Sequence, residues 1–200
     1  TALLPSGVTL NGNVRTSGDA VSLGDAGTPV TLAGGASTID TTNSGGSAAG
    51  AGITVNGAVN GTAANSQDLS LDAGTGGAIS FGSTVGAGTT LRTLTVTNSN
   101  GATFTGAVTT GTSVVLTNTT AAADIQFTGA LVTPTLTTAA QGYDLNLYGT
   151  GTTITNAVTF QNSGAVRLGN AAGTELLFNG ALTALLPSGV TLNGNVRTSG

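Results

Sequence analysis

The sequence predicts an all-β chain wound as a β-solenoid. Three observations predict it: a short strand-and-corner motif that returns at nearly even intervals, a composition heavy in Thr and Gly and light in charge, and an 18-residue segment that occurs twice without change. Of the 200 residues, 39 are Thr and 33 are Gly, while Cys, Met, Trp, His and Lys are absent. Only 6% are charged, against roughly 25% in an average globular chain. Yet 38% are apolar, mostly Val, Leu, Ile and Ala, and the mean hydropathy is +0.28, so the chain is not of the disordered type. Val, Ile and Thr are branched at Cβ, which suits them to strands. Glycine spread through the chain works against long helices, since each one costs a helix interior about 1 kcal/mol relative to Ala.

The motif reads apolar, any residue, apolar, then Asn or Thr, Gly, one small residue, and Val or Leu. Its copies are VTLNGNV (8–14), ITVNGAV (53–59), ATFTGAV (102–108), IQFTGAL (125–131) and LLFNGAL (176–182). Looser copies begin at Val30 (VTLAGGA), Ile79 (ISFGSTV) and Ile154 (ITNAV), and the next begins at Val190. Successive starts are nearly evenly spaced, except that the last interval, from Leu176 to Val190, is short. The unit is about 23 residues, the size of one coil of a solenoid with two or three short strands joined by corners. A second strand signal falls between the copies: VSL (21–23), LSL (69–71), LTV (94–96), VVL (114–116), LNL (145–147) and VRL (166–168), which read as short strands with one apolar face. Asn, Asp and Gly clusters follow several of them and read as turns. Gly12, Gly57, Gly106, Gly129 and Gly180 are the corner glycines of the five full copies.

The spacing fixes what should stack. Phe81, Phe104 and Phe127 are evenly spaced, one unit apart, and so are Val85, Val108 and Leu131. In parallel coils, equivalent positions sit over one another about 4.8 Å apart, so Phe would rest on Phe and Val on Val and Leu in a dry column. One coil cannot bury its apolar residues alone, and stability then comes from its neighbours. Asn-Gly pairs also suit hairpins, and tandem immunoglobulin-like sandwiches of about 91 residues are the competing architecture. The shortness of the unit and a core of five Phe, two Tyr and no Trp speak against it.

Thr1 to Gly18 recurs unchanged as Thr183 to Gly200. Residues 1–182 are therefore read as one full repeat period of about eight coils, and 183–200 as the start of the next identical period of the same solenoid. Eight coils would advance roughly 38 Å. The expected partners are adjacent copies of the same repeat, joined head to tail in one chain, with lateral association of rods as a further expectation.

Other function classes find little support. The formal charge is −4 and the only cations are four Arg, which argues against nucleic acid. No apolar run approaches the roughly 20 residues of a membrane span, so no membrane insertion is expected. Without Cys there are no disulfides and no thiolate metal sites. Without His, Cys or Lys there is no obvious base or nucleophile, so no catalytic residue, no cofactor and no enzyme activity is expected. Calcium needs six or more oxygens, and the acids are scattered singly; Asp68 and Asp72, which flank LSL, are the one pair worth inspecting. Arg15, Arg92 and Arg167 read as surface solubilisers. Alternating Thr at 93, 95 and 97, at 103 and 105, and at 133, 135 and 137 suggest outward β-branched residues, and more distantly an ice-binding array.

The stretches ITVNGAV (53–59), LSLDAGTGGAISFG (69–82) and LTVTNSNGATFTGAV (94–108), with their Cys-free Thr/Gly/Asn/Ala bias, resemble the repeat regions of giant bacterial exoproteins. The style is that of filamentous-haemagglutinin-like adhesins and autotransporter passengers. The resemblance implies a right-handed parallel β-helix, export to the cell surface or beyond, and service as a filament, a stalk or an adhesin. The expected role is a rigid extracellular rod. The alternative is an adhesin stalk that contacts cells or glycans, with an ice-binding or carbohydrate-active solenoid below that.

Overall fold

The computed structural model describes residues 6–199, so Thr1–Pro5 of the first 18-residue segment and Gly200 of the second lie outside it. The chain is all-β, with no helix among the described residues, and its strands stack in parallel as a solenoid of about eight turns. The first turn runs through β1 (Val8–Leu10), β2 (Val14–Arg15) and β3 (Val21–Leu23); the second through β4 (Val30–Leu32), β5 (Ala36–Asp40) and β6 (Ile53–Val55); the third through β7 (Val59–Gly61), β8 (Asp68–Asp72) and β9 (Ile79–Phe81). In the fourth, a bridge at Val85 replaces the first strand, followed by β10 (Leu91–Asn98) and β11 (Ala102–Phe104). The fifth contains β12 (Val108–Leu116) and β13 (Asp124–Phe127), and the sixth β14 (Leu131–Thr133), β15 (Thr135–Thr138) and β16 (Asp144–Leu147). The seventh has β17 (Thr152–Ile154), β18 (Val158–Thr159) and β19 (Val166–Leu168), and the eighth β20 (Glu175–Phe178), β21 (Leu182–Thr183) and β22 (Val190–Leu192). A further strand, β23 (Asn195–Thr198), opens the next turn.

Three faces result. Face I begins with β1, β4 and β7 and ends with β14, β17, β20 and β23. Face II holds β2, β5, β8, β10 and β15, with β18 and β21 beyond them. Face III is the most regular and runs unbroken from β3 through β6, β9, β11, β13, β16 and β19 to β22. Strand β12 rounds a corner: Val108 pairs with Leu131 on face I, and Val114 pairs with Leu94 and Leu136 on face II. The three-residue strands β4, β6 and β11 bury their first and third side chains and turn the middle one outward, as the two-residue period of a strand requires.

The core is a narrow shaft of registered columns. On face III one column reads Val21, Ile53, Ile79, Ala102, Ile125, Leu145, Val166 and Val190. Its companion reads Leu23, Val55, Phe81, Phe104, Phe127, Leu147, Leu168 and Leu192. Two pairs of buried hydroxyls meet across turns, Thr110 with Thr133 at 2.7 Å and Ser99 with Thr119 at 2.9 Å, which removes the penalty of leaving those four unmatched. Tyr143 is fully buried and its hydroxyl donates to the Leu116 carbonyl at 3.2 Å. Burial pushes the pKa of that phenol up to about 12, so it stays a donor.

Turn length varies while the register of face III does not; on face II, β10 slips by one residue near Leu91 against β12 and near Asn98 against β8. Val21 is followed on face III by Ile53, a step lengthened by the segment 41–52, which leaves the wall between β5 and β6 and returns to it. The steps from Ile79 to Ala102 and from Ala102 to Ile125 are equal, and the step from Ile125 to Leu145 is shorter. Corners absorb the difference, since a solvated loop can lengthen at small entropic cost while a strand cannot slip without turning its apolar face to water.

Candidate functional site: the stacking surface and its last rung

The stacking surface is built first from the residues that spacing singles out. The rings of Phe81 and Phe104 lie 5.2 Å apart between centroids, and those of Phe104 and Phe127 lie 4.9 Å apart with only 9° between their planes. All three are fully buried. Val85, Val108 and Leu131 form a neighbouring column through parallel pairing.

The corner glycines divide into two groups. Gly57, Gly106 and Gly129 turn the chain from face III to face I, whereas Gly12 and Gly180 turn it from face I to face II. The motif predicts equivalent points on successive coils; the structure places its copies at two different corners. Both turns bring one backbone close to the turn before it. A Cβ on Gly129 would lie 2.3 Å from the carbonyl carbon of Gly106, and one on Gly57 would lie 1.7 Å from the Thr28 carbonyl oxygen. Glycine is required there because one backbone sits directly on another. At Gly180 a Cβ would lie 2.4 Å from the Ala157 amide nitrogen, whereas at Gly12, on the first described turn, it meets nothing within 4 Å.

Each arginine is paired with an acid on an adjacent turn. Arg15 Nε lies 3.0 Å from Asp40, Arg167 lies 3.0 Å from Asp144 and 3.8 Å from Asp124, and Arg197 lies 3.8 Å from Glu175. Arg92 grips Asp68 with two guanidinium nitrogens, one at 2.8 Å. Sequence reasoning misses these pairs, because arginine and acid stand a whole turn apart along the chain and only the register brings them together. The guanidinium of Arg167 is held above its ordinary range first by its hydrogen bond to Asp144, and that of Arg92 by its hydrogen bond to Asp68.

Asp40 is the most enclosed acid. Its side chain accepts from the Thr42 amide and hydroxyl, both at 2.7 Å, and from the Ser44 amide at 2.8 Å, and so anchors the start of segment 41–52. Burial alone would raise its pKa, but these hydrogen bonds and Arg15 together hold it below the usual carboxylate range. Asp68 and Asp72, the pair that flanks LSL, do not converge: Asp68 faces Arg92, and Asp72 accepts from the Gly74 amide at 3.1 Å. Among the described residues no three acids gather into a metal-holding group. The alternating threonines do share register on face II, where Thr93 and Thr135 flank Ser113 and Thr95 and Thr137 flank Val115.

The last rung is where the two identical segments can be compared. In the first segment, Val8–Leu10 lies on face I against Val30–Leu32, and Val14–Arg15 lies on face II against Ile39–Asp40. In the second, Val190–Leu192 lies on face III over Val166–Leu168, and Asn195–Thr198 lies on face I over Glu175–Phe178. Identical residues thus occupy different walls. From Val8 to Val190 the chain passes seven full turns and two further faces. Val190 and Leu192 on this rung are 45% and 60% exposed, and Leu192, Val196 and Arg197 line a shallow hollow with Glu175, Gly194 and Asn195. Comparison of the chain with protein-family models, with curated proteins and with solved structures returns no match.

Proposed function

We propose that this chain is a structural repeat segment of a long extracellular fibrous protein, in the style of filamentous-haemagglutinin-like exoproteins, and that its work is to extend a rigid rod. The observation that carries this reading is the behaviour of the recurring segment. Where that segment returns, it adds rungs to the ladder: Val190 rests on Val166, Leu192 on Leu168 and Val196 on Leu176, with side chains of the same kind above and below. A chain whose recurrence lengthens the same shaft builds length. Nearest-neighbour stacking lets each added rung draw its stability from the one beneath it.

The chemistry of the surface agrees. Its charges are few and largely spent on pairs between turns, and its outward positions are mostly Ala, Thr, Gly, Asn and Ser. Such a surface keeps a rod in solution without a charged or catalytic focus. Electron microscopy and fibre diffraction of the native polymer test the reading. Uniform rods with a strong meridional spacing of about 4.8 Å are expected. Separate globular beads on a flexible string would refute it.

A further inference from the structure

We propose that the 182-residue period closes on seven and two-thirds turns, so that each copy docks on the last rung of its predecessor one face short of a complete revolution. The partner of the exposed apolar rung at Val190 and Leu192 is then the following turn of the copy that this rung begins, a copy entered with its faces permuted. This rests on the rod reading above and adds the geometry of the joint.

Two-thirds of the joint is already formed. The first two strands of the second copy, Val190–Leu192 and Asn195–Thr198, are seated on faces III and I, although the strands of the first copy that they duplicate lie on faces I and II. The seats match chemically. Val over Val and Leu over Leu at Val190–Val166 and Leu192–Leu168 repeat the Val8–Val30 and Leu10–Leu32 pairs of the first copy.

The permutation is possible because one corner sequence serves two corners. ITVNGAV (53–59) carries the chain from III to I, while LLFNGAL (176–182) carries it from I to II. VTLNGNV does both, from I to II at 8–14 and from III to I at 190–196. A repeat built from such a motif need not contain a whole number of turns to keep every strand in register.

The ion pairs fit the same joint. Arg15 reaches Asp40 on the turn after it, and its duplicate Arg197 reaches Glu175 on the turn before it. In a continuing rod, each such arginine has the glutamate of one copy on one side and the aspartate of its own copy on the other. The guanidinium becomes the middle of a three-charge stack that clamps consecutive copies.

A rod made this way carries each copy rotated by one third of a revolution relative to the last, on top of any slow coiling of the solenoid itself. Features fixed to one corner, such as the 41–52 segment, would wind around the rod and return to the same side after three copies. That spans about 23 turns and about 110 Å, with about 37 Å per copy.

A rod of six consecutive copies tests this. The sequence has no Cys, so Ser66→Cys in each copy offers one exposed gold-labelling site per period. Labels that step around the rod and recur on the same side at every third copy are expected. Labels in a single line along one side would overturn the inference and leave the rod intact. Labels on independently tumbling bodies would overturn both. Unlabelled rods give a second readout: an axial periodicity of about 110 Å supports the permuted joint, and one of about 38 Å alone refutes it.

Discussion

Asp72 lies beside Asp40 on the next turn of face II, paired with it in register, and the two carboxyls are shifted in opposite directions. Asp40 has three donors and an arginine and is held low. Asp72 is raised, first by burial and then by the negative charge of Asp40, with only the Gly74 amide to offset them. The two acids therefore act on stability in different pH windows. Asp72, raised above its unfolded value, weakens the fold at neutral pH, and that loss is recovered as pH falls through its folded pKa. Asp40, depressed below 3.8, strengthens the fold above that value and loses its contribution as pH falls through its own lower folded pKa. The unfolding midpoint should rise slightly on mild acidification and then drop. In a pH series of thermal melts, Asp72→Asn should abolish the rise and leave the drop.

Replacing Asp40 itself should be damaging at neutral pH. Asp40→Ala removes the acceptor for Thr42 and Ser44 and leaves Arg15 without its partner. A loss of about 2–3 kcal/mol is expected from chemical denaturation, as for other buried hydrogen bonds to a charge. Hydrogen exchange should quicken first in segment 41–52. Unchanged protection there would contradict the anchoring role.

The middle ring of the aromatic stack should matter more than its ends. Phe104 has a ring on each side, whereas Phe81 and Phe127 each have one. Phe104→Ala should cost about 3–5 kcal/mol, and Phe104→Leu distinctly less because the column keeps most of its volume. Equal losses for both variants would mean that ring stacking, not filling, decides stability.

Glycine substitutions should separate positions that rest on the backbone of a preceding turn from the one that does not. Gly129→Ala drives a Cβ into the backbone of the preceding turn and should cost about 1–3 kcal/mol or prevent folding, while Gly12→Ala should change stability by less than about 1 kcal/mol. The contrast extends within the recurring segment. Gly194 duplicates Gly12, yet its Cβ would lie 2.5 Å from the Thr174 carbonyl oxygen. Gly194→Ala should fray the last rung by hydrogen exchange where Gly12→Ala leaves the first unchanged.

Trypsin should attack slowly and in order. Its four possible sites are Arg15, Arg92, Arg167 and Arg197, each in a strand and each ion-paired. Arg197, on the last rung and with a side chain 68% exposed, should be cut first and leave the body intact by mass spectrometry. Early cleavage at Arg92 or Arg167 would contradict a continuous wall.

The parallel winding was legible in the sequence where corners have constant length. Phe81, Phe104 and Phe127 announce their column because two successive turns are equally long there. The face of each strand was not legible. VSL at 21–23 and LSL at 69–71 look alike, yet Val21–Leu23 lies on face III and Leu69–Leu71 on face II. A three-residue strand with a polar middle residue satisfies any wall, so pattern alone cannot assign it. The short interval from Leu176 to Val190 was the available signal, since it spans two faces and not a whole turn. The ion pairs were hidden for the same reason: a partner a full coil away along the chain becomes a neighbour only once the register is known.

The direction of the backbone ladders has a mechanical consequence. The hydrogen bonds between turns run along the long axis of the shaft, so a pull on its two ends loads them one rung at a time. The chain should then peel from an end at modest force, and each lost turn of about 23 residues should release roughly 80 Å of slack. A filament of this kind would be stiff against bending yet would yield in many small steps under tension, spreading a sudden load over its whole length.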